Sequence, residues 1–372
     1  MAAMIEAPVV CVNVMRGGPS TGLPTKVEQC DLNQAFGASS GDFPRMIVAP
    51  RDAIDSYEAT VEAFNIAEVF QLPVIMITDL LLAEHRSTID ADAISSDVPI
   101  ERGEWATESN GQYRRYKMTP SGVSPRARPG TKGFVHVSGT DEHDEAGLLI
   151  SDERTNAAIR RKMHEKRMKK MEGVLAVLKA PELEGPADAD LTLVGWGSTY
   201  SVIVEAAELF NAAGTTTNRI HFKYMLPFHA KEALKILESC KTTVCIENNY
   251  SGQFARHLRA ETGYSMDHLV TRYDGEPFRP ADLVARVTAA LEGTVDLRVT
   301  EDEAREMAYH FAEVKAGDKW RPGNLTKVEN GAYDEPVWEV ELIGRAELDP
   351  QGTLVIGMDT GSVHSWTSER SS

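Results

Sequence analysis

Short apolar segments alternate with helix-like segments across residues 191–291, and this alternation restricts the fold more than any other feature. Each apolar segment has the length of a β-strand, and the segments between them carry apolar residues at helical spacing. Strands that alternate with helices of this length form a parallel sheet through right-handed crossovers. The sequence predicts strands at 191–197, 219–225, 243–247 and 268–273, and helices at 202–213, 230–239, 252–261 and 281–291.

The first 82 residues show the same α/β alternation. An almost wholly apolar first strand is typical of a parallel strand that is buried on both faces. Asp52 is placed to cap the helix that follows the second strand. Asp79 ends the third apolar run, where capping or bonding a loop is favoured over facing a ligand. The sequence predicts strands at 9–14, 46–49 and 73–82 and a helix at 52–70.

The first strand ends on Arg16 and opens into a loop of Gly, Pro, Ser and Thr at 17–25. In an open α/β sheet, ligands bind in the crevice at the carboxyl ends of the strands. A guanidinium at this point could pair both oxygens of a carboxylate. It could equally donate to the carbonyl groups of its own loop, and the residues alone do not separate these two roles.

The middle of the chain lacks a clear period. We interpret 83–133 as a long excursion between two domains, followed by a short strand at 134–139. The acidic cluster at 140–145 contains one His, and a loop is favoured there over a metal site because adjacent residues point in different directions. The helix predicted at 154–178 is strongly basic, which indicates either a solvated face or a contact with an acidic partner or an anionic ligand.

The last 80 residues break the alternation and predict a small α+β appendage. Helix 301–314 precedes two strands, at 337–343 and 353–358, that pair across a turn at 349–352. The polar end at 365–372 is predicted to be frayed. The predicted domains are 1–133, 134–292 and 293–372.

Composition excludes several classes of function. A formal net charge of −17 argues against general binding of nucleic acids, which requires a basic surface. No apolar run has the length of a membrane span, and no secretory signal pattern is present. Cys11, Cys30, Cys240 and Cys245 lack the spacing of a zinc or iron–sulfur site, and we expect them to be structural thiols of a cytoplasmic protein.

Several motifs together resemble the α subunit of 2-oxoacid:ferredoxin oxidoreductases, most closely the 2-oxoglutarate type. The long run at 16–25 is the most specific of them, and the resemblance extends over about residues 1–290. The motifs are Arg16-Gly17-Gly18-Pro19-Ser20-Thr21-Gly22-Leu23-Pro24-Thr25, Glu142-His143-Asp144-Glu145, Lys166-Arg167, Gly195-Trp196-Gly197-Ser198-Thr199, Leu226-Pro227-Phe228, Glu247-Asn248-Asn249-Tyr250, Gly252-Gln253 and Tyr273-Asp274-Gly275.

This resemblance implies an α/β protein with a partial thiamine pyrimidine-binding domain, a transketolase C-terminal-like parallel-sheet domain and a small α+β tail. It implies thiamine diphosphate shared with a β subunit, which also holds Mg²⁺ and a [4Fe-4S] cluster, in a cytoplasmic hetero-oligomer. It implies oxidative decarboxylation of a 2-oxoacid to an acyl-CoA with electrons passed to ferredoxin, or the reverse. Arg16 would then bind the substrate carboxylate, and Gly17, Gly18, Pro19, Ser20 and Thr21 would approach the cofactor.

The sequence departs from the family pattern at its amino-terminal end. The Tyr-Pro-Ile-Thr-Pro segment and the acidic residue that activates the aminopyrimidine are not found in this sequence. We therefore expect an N-terminally truncated chain that does not turn over alone. A non-catalytic docking subunit that retains the fold is the alternative. A nucleotide-binding protein using Gly195–Thr199 is a weaker one, because a tight turn explains those residues better.

Overall fold

The computed structural model describes residues 1–107, 113–151, 156–293, 301–316, 320–328, 333, 336–344, 350–357 and 363–368. The chain forms two compact units, residues 1–284 and 285–372. Among the described residues, no helix combines the length and the apolar character that a bilayer crossing requires. The division into three domains predicted from the sequence stays a prediction.

The secondary structure follows the predicted alternation closely. The strands are β1 (Val9–Met15), β2 (Met46–Val48), β3 (Pro73–Asp79), β4 (Leu183–Glu184), β5 (Leu191–Trp196), β6 (Thr217–Phe222), β7 (Tyr224–Leu226), β8 (Thr243–Glu247), β9 (His268–Thr271), β10 (Trp320–Val328), β11 (Val337–Gly344), β12 (Pro350–Gly357) and β13 (Val363–Ser368). The helices are α1 (Leu32–Gly37), α2 (Ala53–Phe70), α3 (Leu80–Glu84), α4 (Ala157–Val177), α5 (Thr199–Ala212), α6 (Ala230–Leu237), α7 (Gln253–Thr262), α8 (Pro280–Glu292) and α9 (Glu301–Ala316).

The first sheet has the strand order β1-β3-β2-β7, and β1, β3 and β2 are parallel. β1 therefore lies at an edge, and the expectation that it is buried on both faces is wrong. Val12 is 60% exposed and Val14 is 42% exposed. Cys11 is exposed as well, against the expectation of a buried thiol. The apolar run is real, but only one side of the strand has a described partner, which is β3.

The second sheet has the order β4-β6-β5-β8-β9, in which all strands except β4 are parallel. This confirms the parallel α/β sheet predicted from residues 191–291. The single strand predicted at 219–225 is divided, because β6 ends at Phe222 and β7 pairs antiparallel with β2 of the first sheet. Lys223 lies at the division, where its carbonyl accepts from Ala49 and its Nζ donates to Asp55 at 2.5 Å.

Residues 134–139 form no strand, so that prediction is wrong. The segment is extended but has no ladder partner in the described structure, and Val135 is 89% exposed. It is held by single contacts instead, such as the hydrogen bond that the Tyr116 hydroxyl donates to Ser138 Oγ at 3.1 Å. Local β propensity did not suffice where no neighbouring strand was available.

Helix α4 buries several of the basic side chains for which the sequence left two roles open, a solvated face or a contact with a partner or ligand. Its cap is Asn156, which accepts from the Ile159 amide. Three of its cations are no more than 4% exposed and pair inside the molecule, so neither a solvated face nor an external partner accounts for them. These are Lys166 and Lys170, which pair with Glu6, and Arg167, which pairs with Glu142.

In the second unit, α9 accompanies an antiparallel sheet of order β10-β11-β12-β13. The predicted pairing of the strands near 337–343 and 353–358 is confirmed, although Met358 and Asp349 lie outside the described residues. The prediction that the polar end is frayed is wrong for 365–368, which lie in β13, while 369–372 lie outside the described part. β10 and β13 carry many polar residues and so give a weak hydrophobic signal, which is why these two strands were missed.

Candidate functional site

The Arg16 loop follows the carboxyl end of β1, where Met15 lies in register with Asp79 of β3. The loop closes on itself, because the Leu23 amide donates to the Gly17 carbonyl at 2.8 Å. Gly22 has a φ of +48°, and a Cβ there would lie 2.1 Å from the Gly17 oxygen. Only glycine fits at this position, so the composition of the loop follows from its tight closure.

An open cavity of about 730 Å³ lies on the outer side of this loop. The Arg16 side chain is exposed at the cavity, and no carboxylate among the described residues forms an ion pair with it. Asn13 Nδ2 donates to Asp31 Oδ2 at 3.1 Å across the cavity wall. The lining residues are Asn13, Val14, Arg16, Gly18, Pro19, Ser20, Cys30, Asp31 and Gln34.

The structure brings most of the predicted site residues together. Four of them line the cavity, namely Arg16, Gly18, Pro19 and Ser20. Gly17 is buried behind the loop, where a Cβ would lie 3.0 Å from that of Leu23. Thr21 is exposed at the loop tip and does not line the cavity. The binding roles of these residues stay predictions.

Cys30 was not singled out by sequence reasoning, yet it supports the Arg16 backbone. Its Sγ lies 2.8 Å from the Arg16 carbonyl oxygen, to which the thiol donates. Burial is the main cause that raises the pKa of this thiol to about 11. The thiol therefore remains a protonated donor at neutral pH.

Glu28 lies beneath the loop and was also missed. It is 7% exposed, and a Cβ on Gly17 would lie 3.2 Å from its Oε1. Burial, and then the negative charge of Asp274, raise the pKa of the Glu28 carboxyl above its ordinary value. Asp274 lies far from Glu28 in the sequence, so no local signal could have identified this charge contact.

Most polar groups of the other candidate sites are bonded within the chain, although His143 Nε2 in the 140–145 cluster is buried without a hydrogen-bond partner in the described part of the chain. Asp79 accepts from the Leu82 amide at 3.2 Å and from the Ser198 hydroxyl, which confirms the capping alternative. Thr199 Oγ1 donates to the Trp196 carbonyl at 2.8 Å, which favours a tight turn at 195–199. Glu142 accepts from Arg167 at 2.7 Å, so its carboxylate is already engaged. Among the described residues, no cluster of three or more His, Cys, Asp or Glu side chains could hold a metal ion.

The candidate site falls within a known family. Residues 1–162 match the family model described as "Pyruvate flavodoxin/ferredoxin oxidoreductase, thiamine diP-bdg". The α subunit of 2-oxoacid:ferredoxin oxidoreductase 2 from Aeropyrum pernix is 33% identical over 293 residues, which are 78% of this chain and 45% of that protein. Over 78% of its length, the chain is homologous to this α subunit of a 2-oxoacid:ferredoxin oxidoreductase.

Two further relatives bear on the 2-oxoglutarate type within this family. The 2-oxoglutarate oxidoreductase subunit KorA of Mycobacterium tuberculosis is 33% identical over 79% of this chain and 44% of that protein. The solved 2-oxoglutarate:ferredoxin oxidoreductase of Magnetococcus marinus, with 2-oxoglutarate, coenzyme A and succinyl-CoA bound, is 34% identical with a TM-score of 0.70. The matched part is 50% of the length of that protein and 78% of this chain. The chain described here thus spans about half the length of these relatives.

The cavity of this α-subunit relative suits the groups that the family binds. Its lining combines one guanidinium with neutral polar side chains and exposed loop backbone. Such a lining fits a carboxylate beside a flat, uncharged polar ring, as in a 2-oxoacid next to an aminopyrimidine. The lining offers a single carboxylate, Asp31, which already accepts from Asn13. That these residues contact the pyrimidine side of the cofactor stays a prediction.

Proposed function

We propose that this chain supplies the substrate-binding side of a thiamine-diphosphate-dependent 2-oxoacid:ferredoxin oxidoreductase. The reaction would convert 2-oxoglutarate and coenzyme A to succinyl-CoA and CO₂, with two electrons passed to ferredoxin, or run in reverse. The choice of 2-oxoglutarate is supported by the printed names of the relatives and by the ligands of the Magnetococcus structure. The reducing cytoplasm, where free thiols persist, is the proposed location.

The exposed Arg16 guanidinium at the carboxyl end of β1 is the observation that carries this proposal. It lies at an open cavity and pairs with no carboxylate of the described chain, so it is free to pair with a substrate. Charge-assisted, bidentate pairing would both bind the 2-oxoacid and orient it. Cys30 would hold the Arg16 backbone while this occurs, since its thiol donates to the Arg16 carbonyl.

Thiamine diphosphate supplies the electron sink for decarboxylation when it is bound. Residues 17–20 would present their backbone to its pyrimidine side, where small side chains permit a close approach. We propose that a β subunit holds the diphosphate, Mg²⁺ and the [4Fe-4S] cluster, and that ferredoxin accepts the electrons. The relatives' designation as an α subunit supports a hetero-oligomer.

A second candidate function is a docking subunit that retains the fold without taking part in turnover. The open Arg16 cavity favours the enzyme subunit instead, because a docking role requires no free guanidinium at a strand end.

Arg16→Ala in the oxidoreductase assembled with its partner subunit tests the enzyme proposal. We expect KM for 2-oxoglutarate to rise about 10- to 100-fold, which corresponds to the loss of a charge-assisted pair. Arg16→Lys should recover part of the affinity, since an ammonium keeps the charge but not the bidentate geometry. Arg161→Ala, at an exposed position of α4, is the matched control and should behave as wild type. Equal kinetics for Arg16→Ala and Arg161→Ala would favour the docking role.

A further inference from the structure

The motif Glu247-Asn248-Asn249-Tyr250 contributes no residue to the Arg16 cavity, although it is part of the family resemblance. It lies where β8 ends and α7 begins. Glu247, Asn248 and Asn249 are each no more than 3% exposed. Buried amides on a connection between a strand and a helix require partners. Asn248 Nδ2 donates to the Arg272 carbonyl at 3.1 Å, whereas the Asn248 backbone and the Asn249 side chain contact the segment that follows the Arg16 loop.

Gln29 is the centre of these contacts and is fully buried. Its Nε2 donates to the Trp196 carbonyl at 2.8 Å, and its Oε1 accepts from the Asn248 amide at 3.1 Å. Its backbone amide donates to the Asn248 carbonyl at 2.7 Å, and its carbonyl accepts from Asn249 Nδ2 at 3.3 Å. Both backbone groups and both ends of the side chain are therefore bound to the second sheet.

Glu247 holds the other side of this contact in place. Its carboxylate accepts from the Phe254 amide at 2.8 Å and from the Ala255 amide at 2.9 Å, in the first turn of α7. The same carboxylate accepts from Asn249 Nδ2 at 2.8 Å. A carboxylate at a helix amino terminus is stabilised by the free amides and by the helix dipole. The Asn249 side chain is thus held in the orientation in which its Nδ2 also donates to the Gln29 carbonyl.

A fourth amide connects this network to the cavity wall. Gln253 Nε2 donates to the Cys30 carbonyl at 2.7 Å, and its Oε1 accepts from the Asn33 amide at 2.9 Å. Cys30 itself donates to the Arg16 carbonyl at 2.8 Å. A continuous series of hydrogen bonds therefore runs from α7 to the backbone of Arg16, the residue proposed to bind the substrate.

We propose that Gln29, Asn248, Asn249 and Gln253, here named the amide lock, are positioning residues for the Arg16 cavity. The amide lock fixes Cys30 at the cavity wall, and Cys30 in turn fixes the Arg16 backbone. A buried polar network with all its groups satisfied selects one geometry, and small displacements of a binding group lower affinity. The effect on substrate affinity rests on the proposed function, whereas the effect on the loop does not.

Gln29→Met removes both side-chain hydrogen bonds of the lock while keeping the side-chain volume. Gln71→Met is the matched control, because Gln71 is 1% exposed and its Nε2 donates to the Ser124 carbonyl at 2.7 Å. Hydrogen exchange of the full-length chain is the first measurement. We expect Gln29→Met to accelerate exchange in 16–31 about tenfold or more, with β5 and β8 unchanged, and the control to leave 16–31 at wild-type rates.

Gln253→Glu provides a milder variant should Gln29→Met fold poorly. It keeps the oxygen that accepts from Asn33, loses the donor to Cys30, and places an acid in the first turn of α7, where acids are tolerated. It should accelerate exchange at 16–31 in the same way. Wild-type exchange at 16–31 in both variants would overturn the lock. Equal acceleration across β5 and β8 would overturn it too, since that outcome indicates a general packing role.

Kinetics of the assembled enzyme then separate positioning from mere support. We expect Gln29→Met to raise KM for 2-oxoglutarate about tenfold with kcat within about twofold, because the chemical groups are retained. An unchanged KM alongside faster loop exchange would overturn the role in substrate binding. If Arg16→Ala leaves KM unchanged, the proposed function fails, and the exchange result still decides whether the lock positions the loop.

Discussion

At the scale of single residues, Glu28 shows how a site can carry a cost to stability. Its carboxyl is nearly buried against Gly17, and its pKa is raised by burial and by Asp274. A raised pKa in the folded state means that folding favours the protonated acid. Stability contributed by this group is therefore lost as pH rises above the ordinary value of 4.5. The group therefore opposes the closed loop increasingly as pH rises above that value.

Glu28→Gln should remove this cost. We expect the variant to gain about 1 kcal/mol of unfolding free energy at pH 7 and to match the wild type near pH 4, where the wild-type acid is protonated. Chemical denaturation at both pH values is the measurement. Glu58→Gln, at an exposed position of α2, is the control and should change stability at neither pH. A gain of equal size at pH 4 and pH 7 would contradict the charge argument.

Cys30 offers a second test at this scale. Cys30→Ser keeps a donor for the Arg16 carbonyl, whereas Cys30→Ala removes it. We expect Cys30→Ala to raise KM for 2-oxoglutarate by about threefold to tenfold, as the loss of one neutral hydrogen bond would, and Cys30→Ser to remain close to wild type. Identical KM values for the two variants would show that the thiol does not support Arg16.

At the scale of elements, α4 is held by charges inside the molecule. Glu6 is fully buried and lies 2.7 Å from Lys166 Nζ and 2.6 Å from Lys170 Nζ. Burial alone would raise the pKa of the Glu6 carboxyl, but the two ammonium groups outweigh burial and bring it to about 2. Burial lowers the pKa of Lys170 despite this carboxylate. The segment before β1 is thereby fixed to the helix.

Glu6→Gln leaves two buried ammonium groups without their counter-charge. We expect it to cost about 3–5 kcal/mol of unfolding free energy at pH 7, measured by chemical denaturation. The pKa of Glu6 is lowered in the folded state, so its contribution is present above pH 4.5 and is lost as pH falls towards 2. The difference between wild type and variant should therefore shrink over that range.

Glu182→Gln is the matched control for this prediction. Glu182 pairs with Lys179 at 3.0 Å, but both side chains are well over half exposed. Exposed pairs contribute about 0–1 kcal/mol, so this variant should stay near wild type at every pH. A loss for Glu6→Gln no larger than that of the control would refute the role of the buried charges.

At the scale of the whole molecule, β1 leaves the first sheet with an open edge. Among the described residues it pairs only with β3, and Val12 and Val14 are exposed. Unpaired backbone beside apolar side chains is a template for association with another strand. The acidic net charge of the chain opposes such association, but dissolved salt screens this repulsion and leaves it weak.

Val12→Lys should reduce self-association of the purified chain. A charged side chain on an edge strand disfavours pairing with a second strand. Light scattering over a range of concentrations should show a rise in apparent mass for the wild type that is smaller for the variant. Val135→Lys is the control, because Val135 is 89% exposed but lies outside any strand. An equal reduction in both variants would assign the effect to charge alone.

The sequence by itself determined the α/β alternation, the capping of α2 by Asp52 and the chemistry of the Arg16 loop. These depend on neighbours in the chain: helical and strand periods, a side chain accepting from the Asp55 amide, and glycine at a turn. Only the tertiary structure decided that β1 is an edge strand, that Lys166 and Lys170 are buried, and that Gln29 bonds to Asn248. Glu6 and Lys166 are 160 residues apart in the sequence, and Gln29 and Asn248 are 219 residues apart. A buried polar or charged group is stable only with its partner, and no local period encodes a partner so distant.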